Sequence, residues 1–188
     1  MKAEIRVGGL GGQGVILCGM IIGRAASIHD GKHATLIQAF GPEARGSACS
    51  AQVTVADAPI GYPYVKRPDV LILMSPDAYK QFAPTLKPGG LLLYESDLIH
   101  LDGGLPAGAR SLGIPATRFA EELGRRLVLN IVMVGFFAGA TGIVSAEAVE
   151  KAVRESVPKG TEDLNLRAFR KGLEFGRSLQ GAPAAQGA

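Results

Sequence analysis

Residues 3–14 read AEIRVGGLGGQG, and this stretch decides the fold. Its first half alternates toward apolar residues at Ile5 and Val7, as a short buried strand requires. Its second half, Gly9-Leu10-Gly11-Gly12-Gln13-Gly14, fits G-x-G-x-x-G. A helix is expected next, over residues 13–28, with Leu17, Met20, Ile21, Ala25 and Ile28 on one face and Ile16 and Ile22 elsewhere. So little polarity predicts cover on more than one side. Residues 33–39 (HATLIQA) read as a second strand. Strand, glycine turn, helix and strand make the opening unit of an α/β fold.

Working outward, residues 48–57 alternate small or polar with apolar and predict a third strand. No helix fits between it and residues 33–39, so the two are expected to pair antiparallel. Residues 59–68 form a Pro-punctuated connection. Residues 69–74 (DVLILM) and 91–95 (LLLYE) predict central, buried strands. Ser75 is placed to cap the helix between them, with Pro76 at its first position. A further strand is expected over 109–113, and a helix over 119–127. The last third reads helical, one helix capped by Ser145 and one over 162–178 with Leu166, Phe169, Leu173 and Gly176 on a stripe. The expected architecture is a three-layer α/β/α, Rossmann-like domain with a mixed, mainly parallel sheet. Residues 1–180 form one domain in this reading, and the tail 181–188 (GAPAAQGA) is expected to be disordered.

Composition narrows the function. Of 188 residues 47% are hydrophobic and 20% charged, enough for one substantial core. Net charge is +3, no Lys/Arg run exceeds two residues, and aromatics do not interleave with them. That argues against a nucleic-acid surface. Two cysteines, Cys18 and Cys49, cannot hold an iron–sulfur cluster, and they form no zinc pattern with His29, His33 and His100. No metal site is expected, and no Ser/His/Asp or Cys/His spacing suggests a catalytic residue. Residues 127–144 are apolar apart from Asn130 and Thr141. The run is borderline for a membrane span. Its three glycines instead predict a helix buried within the fold or between subunits.

Two segments carry chemistry. The glycine turn (Gly9, Gly11, Gly12, Gln13, Gly14) is either an anion site built from backbone N–H groups and a helix N-terminus, or a turn that only packs. A nicotinamide site wants an acid at the end of the second strand. Here that strand ends in Gln38-Ala39-Phe40. No Lys-Ser/Thr follows the glycines, so a P-loop is also excluded. The second segment is the loop 40–46 (FGPEARG), with Glu43 and Arg45 between glycines and a proline. Arg45 either grips a phosphate or carboxylate of a ligand, or pairs with Glu43 or a neighbouring subunit.

Residues 9–15 (GLGGQGV), 40–46 (FGPEARG) and 130–142 (NIVMVGFFAGATG), in that order, are similar to the γ subunit of 2-oxoacid:ferredoxin oxidoreductases. The resemblance spans roughly residues 1–178. The same domain is fused within single-chain pyruvate:ferredoxin oxidoreductases and occurs in indolepyruvate oxidoreductases. FGPEARG looks nearest to the 2-oxoglutarate, succinyl-CoA-forming branch, where Tyr often stands at Phe40 and a second Gly at Ser47. The resemblance implies a cytoplasmic complex that converts a 2-oxoacid, CoA and oxidised ferredoxin to acyl-CoA, carbon dioxide and reduced ferredoxin. It implies thiamine diphosphate and iron–sulfur clusters on α and β subunits, with a δ subunit in some complexes, and none of these cofactors on this chain. It places the γ domain at the border of the CoA entry region. The rival is a stand-alone Rossmann-type nucleotide-binding oxidoreductase.

Overall fold

The computed structural model describes residues 1–39 and 48–180. Loop residues 40–47, with Glu43 and Arg45, and the tail 181–188 lie outside the described residues. Six strands form one sheet: β1 (Lys2–Leu10), β2 (His33–Ala39), β3 (Ala48–Ala56), β4 (Val70–Leu73), β5 (Leu91–Glu95) and β6 (Arg110–Ile114). Their order is β2-β3-β1-β4-β5-β6. β1, β4, β5 and β6 run parallel. β3 is antiparallel to both of its neighbours. The physical reason is the short connection 40–47: a parallel crossover needs a dozen or more residues. The sheet is therefore mixed, as expected.

Helices cover both faces. Ile5, Val7, Val53, Val70, Ile72 and Leu93 point to a large core beneath α1 (Val15–Arg24), α4 (Leu129–Thr141), α5 (Ala146–Ser156) and α6 (Glu162–Leu179). Leu71, Leu73 and Leu92 point the other way, to Tyr79, Phe82 and Leu86 in and after α2 (Pro76–Phe82). The strand period of two thus loads both faces of β4, and all four of its residues are buried. A short α3 (Ala116–Glu122) follows β6.

The first helix departs from its expected face. It begins at Val15, with Gly14 as its cap, and passes at Ala25 into a π turn (Ala25–His29). The π turn adds a residue per turn and rotates the residues beyond it. Ile28 ends 63% exposed and Met20 43% exposed, while Val15, Cys18, Ile21, Ile22, Ala25 and Ala26 take the buried side. With apolar residues almost all round, periodicity alone is ambiguous.

Both expected serine caps form. Ser75 Oγ accepts the N–H of Ala78 at 3.2 Å, and Ser145 Oγ accepts that of Ala148 at 3.3 Å. Asp30 then locks the end of the π turn to the start of α5. It accepts Ser145 Oγ–H at 2.7 Å, Ser145 N–H at 3.0 Å and Lys32 Nζ at 2.6 Å. Burial raises the Asp30 pKa, but the hydrogen bonds from Lys32 and Ser145 outweigh it and hold the carboxyl down at about 2. A depressed folded-state value means stability that is present above the unfolded value, near 4, and lost as pH falls toward 2. Asp30→Asn should therefore cost about 1–2 kcal/mol at neutral pH. In urea titrations the variant and wild-type stabilities should converge near pH 2; a constant gap across pH would refute the assignment.

Every residue from Leu129 to Gly139 in α4 is buried. Most of the apolar run 127–144 is thus a core helix of the fold, while Leu127, ahead of it, is 74% exposed. No helix among the described residues is long and apolar enough to cross a membrane. α4 meets α6 backbone to backbone. A Cβ on Gly135 would land on the Phe169 carbonyl oxygen and 2.9 Å from Leu173 N. One on Gly172 would land on the Val132 carbonyl and 2.9 Å from Phe136 N. Gly139 and Gly176 repeat the pattern one turn on, against Leu173 and Phe136. Glycines four apart on both helices let the two backbones meet there, and the Phe136 and Phe175 rings pair across the same two helices with centroids 5.9 Å apart.

Candidate functional site

β1 and β4 are parallel neighbours whose chains leave in opposite directions, β1 through α1 toward β2, β4 through α2 toward β5. Connections that diverge open a crevice beyond the carboxyl ends of the strands. The glycine turn lies there. Gln13 N–H donates to Leu10 O at 3.1 Å, closing a four-residue turn. Gly12, third in that turn, has φ +93°, and Gly14 caps α1 at φ +74°, ψ +28°. L side chains rarely adopt such angles.

The Gln13 carboxamide ties the crevice together. Its Oε1 accepts Leu10 N–H at 2.7 Å, and its Nε2 donates to Met74 O, just past β4, at 2.9 Å. Gly9 makes room for it: a Cβ there would lie 2.7 Å from Gln13 Oε1 and 2.8 Å from Val15 Cγ2. Gly11 occupies the second turn position, half-buried. Gly14 packs against α4. Its missing Cβ is filled by the carboxamide of Asn130, from the first turn of α4. Asn130 is 5% exposed, and its main-chain carbonyl accepts the Cys18 thiol at 3.4 Å. The one amide in the long apolar run is therefore there to close the back of the glycine turn.

Gly12 and Gln13 line a cavity of about 230 Å³ with Leu98, Arg126, Leu127 and Leu129. Among the described residues, α1 has no side-chain cap and no acid in its first turn, so the positive end of the helix is uncompensated. The crevice thus combines backbone donors, one guanidinium and an apolar wall. Such a set can hold one anionic group next to an apolar one. Sequence patterning does not single out Arg126, which reads there as scattered surface charge. The available signal is its place directly before the long apolar run 127–144.

The nicotinamide reading weakens further. β3 stands between β1 and β2, so the end of β2 is two strand spacings, roughly 10 Å, from β1. An acid there would miss a ribose held at the glycine turn. No group of three or more His, Cys, Asp or Glu converges among the described residues. Burial pushes the Cys18 thiol up to about 12 and raises Cys49 as well, so both stay protonated at neutral pH. The residues present do not fit an iron–sulfur cluster.

Residues 4–175 match the family model described as pyruvate ferredoxin/flavodoxin oxidoreductase. The chain belongs to this family. It is 46% identical over 180 residues to the 2-oxoglutarate synthase subunit KorC of Methanocaldococcus jannaschii, a match covering 95% of this chain and 96% of the relative. The γ subunit of the keto/oxoacid ferredoxin oxidoreductase of Geobacter sulfurreducens superposes with a TM-score of 0.85 at 38% identity, over 95% of this chain and 98% of that one. The fold also recurs in the 2-oxoglutarate:ferredoxin oxidoreductase of Magnetococcus marinus, solved with 2-oxoglutarate, coenzyme A and succinyl-CoA bound. The TM-score is 0.87 at 24% identity, over all of this chain and 33% of that one.

Proposed function

We infer that this chain is the γ subunit of a cytoplasmic 2-oxoglutarate:ferredoxin oxidoreductase. The observation that carries this is the 46% identity with a 2-oxoglutarate synthase subunit over 95% of this chain and 96% of that subunit. The complex takes 2-oxoglutarate, CoA and oxidised ferredoxin to succinyl-CoA, carbon dioxide and reduced ferredoxin. Decarboxylation on thiamine diphosphate and electron transfer through iron–sulfur clusters belong to the α and β subunits, with δ where present. This chain holds no catalytic residue. Its part is to complete the assembly and to border CoA.

In this reading the glycine turn (Gly9, Gly11, Gly12, Gln13, Gly14), the start of α1 and Arg126 receive an anionic group of CoA. The cavity admits a phosphate or part of the pantetheine arm, not the whole molecule. Glu43 and Arg45 serve as a second CoA contact or as an interface with a partner subunit. Reconstituting the complex with and without this chain tests the reading. CoA- and 2-oxoglutarate-dependent reduction of ferredoxin should require it; full activity in its absence would overturn the assignment.

Arg126→Gln should raise the Michaelis constant for CoA about tenfold, the weight of one charge-assisted contact, and leave that for 2-oxoglutarate unchanged. Arg45→Lys keeps the charge but loses the planar fork. A raised CoA constant assigns Arg45 to the ligand. A weaker complex with unchanged CoA kinetics assigns it to the interface, and this second result is the one expected.

A further inference from the structure

The sheet face opposite α1 is covered unevenly. α2 lies against β1 and β4, while the stretch after β3 folds back so that Val65, 2% exposed, hydrogen-bonds to β1 and β3 side chains. A cavity of about 260 Å³ remains, lined by Arg6, Ser50, Gln52, Gln81, Phe82 and Ala48 among others. Arg6, in the middle of β1, is 8% exposed. Its Nη1 donates to Thr85 Oγ1 at 3.1 Å and its Nη2 to the Val65 carbonyl at 2.5 Å. The guanidinium lies 5.2 Å from the centre of the Phe82 ring, which fits against the sheet because Gly8 has no side chain.

All of these partners are neutral. None of the ion pairs among the described residues involves Arg6. Arg6 Nε is buried and has no hydrogen-bond partner among them. A buried guanidinium cannot shed its proton, so a charge without a counter-charge here is costly. The other polar lining suits the same guest. Ser50, 4% exposed, brings a hydroxyl. Gln52 commits its Oε1 to Val65 N–H at 2.8 Å, which leaves its amide NH₂ as a donor. Gln81 adds a second carboxamide. Among the described residues, no carboxylate lines the cavity. An anion entering it meets a full positive charge and neutral donors; a cation would meet repulsion.

We propose that this cavity is an oxyanion site, in which a carboxylate or phosphate group of a small molecule sits against the charge of Arg6 beside Ser50, Gln52 and Gln81. It is separate from the glycine turn, whose helix lies on the other face of the sheet.

Titration of the full chain, and of the assembled complex, with inorganic phosphate and separately with acetate tests this. Ionic strength is held with sodium chloride, and heat and thermal midpoint are read together. Saturable binding is expected with at least one anion; the stronger of the two identifies the group. Ser50→Ala and Gln81→Ala should each weaken binding several-fold, and Arg6→Lys by about tenfold, through loss of the planar guanidinium. Gln81 is exposed, so its variant keeps the test alive if Arg6 variants fail to fold. Absence of saturation, or unchanged affinity in the Ser50 and Gln81 variants, would overturn the proposal. So would binding that emerges only in Glu43→Gln, because the chain would then supply the anion itself.

Discussion

Gly135→Leu is expected to unfold most of the chain under conditions in which the wild type is stable. The new side chain would start inside the Phe169 carbonyl oxygen, with Leu173 N 2.9 Å away. Both obstacles are main chain, in the middle of an 18-residue helix, and cannot rotate aside. α6 would have to move outward as a body, and Phe136 and Phe169, both fully buried, would lose their packing with it. Ordinary overpacking costs roughly 1–3 kcal/mol. Here the cost should exceed that range, against a total of about 5–15 kcal/mol for a domain. Gly135→Ala gains about 1 kcal/mol of helix propensity and still meets the carbonyl, so it should also destabilise. Gly61→Ala is the control, at a glycine with open space around it and no positive φ. Its urea midpoint should stay within the roughly ±0.5 kcal/mol of neutral surface changes. A wild-type midpoint for Gly135→Leu would disprove the close seam.

The second large effect is expected at Gly14. An alanine there loses about 1–2 kcal/mol to the left-handed backbone and must also displace the Asn130 carboxamide. That amide is buried, and its Oδ1 accepts the N–H of Ile131 at 2.9 Å. The sum should reach about 3 kcal/mol. Gly12→Ala separates the two contributions, because its φ is equally unfavourable but nothing lies within 4 Å. It should cost only the backbone share. Combining Gly14→Ala with Asn130→Ala should recover part of the loss, and the double-mutant cycle measures the contact. In the assembled enzyme Gly14→Ala should also raise the Michaelis constant for CoA more than Gly12→Ala does, since it shifts the start of α1. Equal stability of the two single variants would show that Asn130 does not back the turn.

Much of the fold was legible because local chemistry carried it. Ser75-Pro76 and Ser145 mark helix starts by capping alone. Residues 33–39 and 91–95 are strands by composition and punctuation, and they are strands in the structure. The antiparallel pairing of β2 with β3 comes from a connection too short for a helix. The family is legible in three short segments, two of which bracket the crevice from α1 and α4. The phase of the first helix was not legible, because a π turn rotates Ile28 outward after a stretch whose apolar residues lie on every side.

The sequence by itself determined the order of elements and the mixed sheet, because each depends on neighbours in the chain or on residue type. Tertiary structure alone decided what the special residues touch. Asn130 looks like an interruption in an apolar helix, and it closes the back of the glycine turn. Gly135, Gly139, Gly172 and Gly176 are spread over two helices, and together they let the two backbones meet. Arg126 joins the crevice, and Arg6, one polar position in a strand, is buried over Phe82 beside a polar cavity. Each of these contacts joins residues far apart in the chain, and their strength comes from backbone approach and burial. Neither property has a period or a local pattern, so neither could be read until the sheet had brought the segments together.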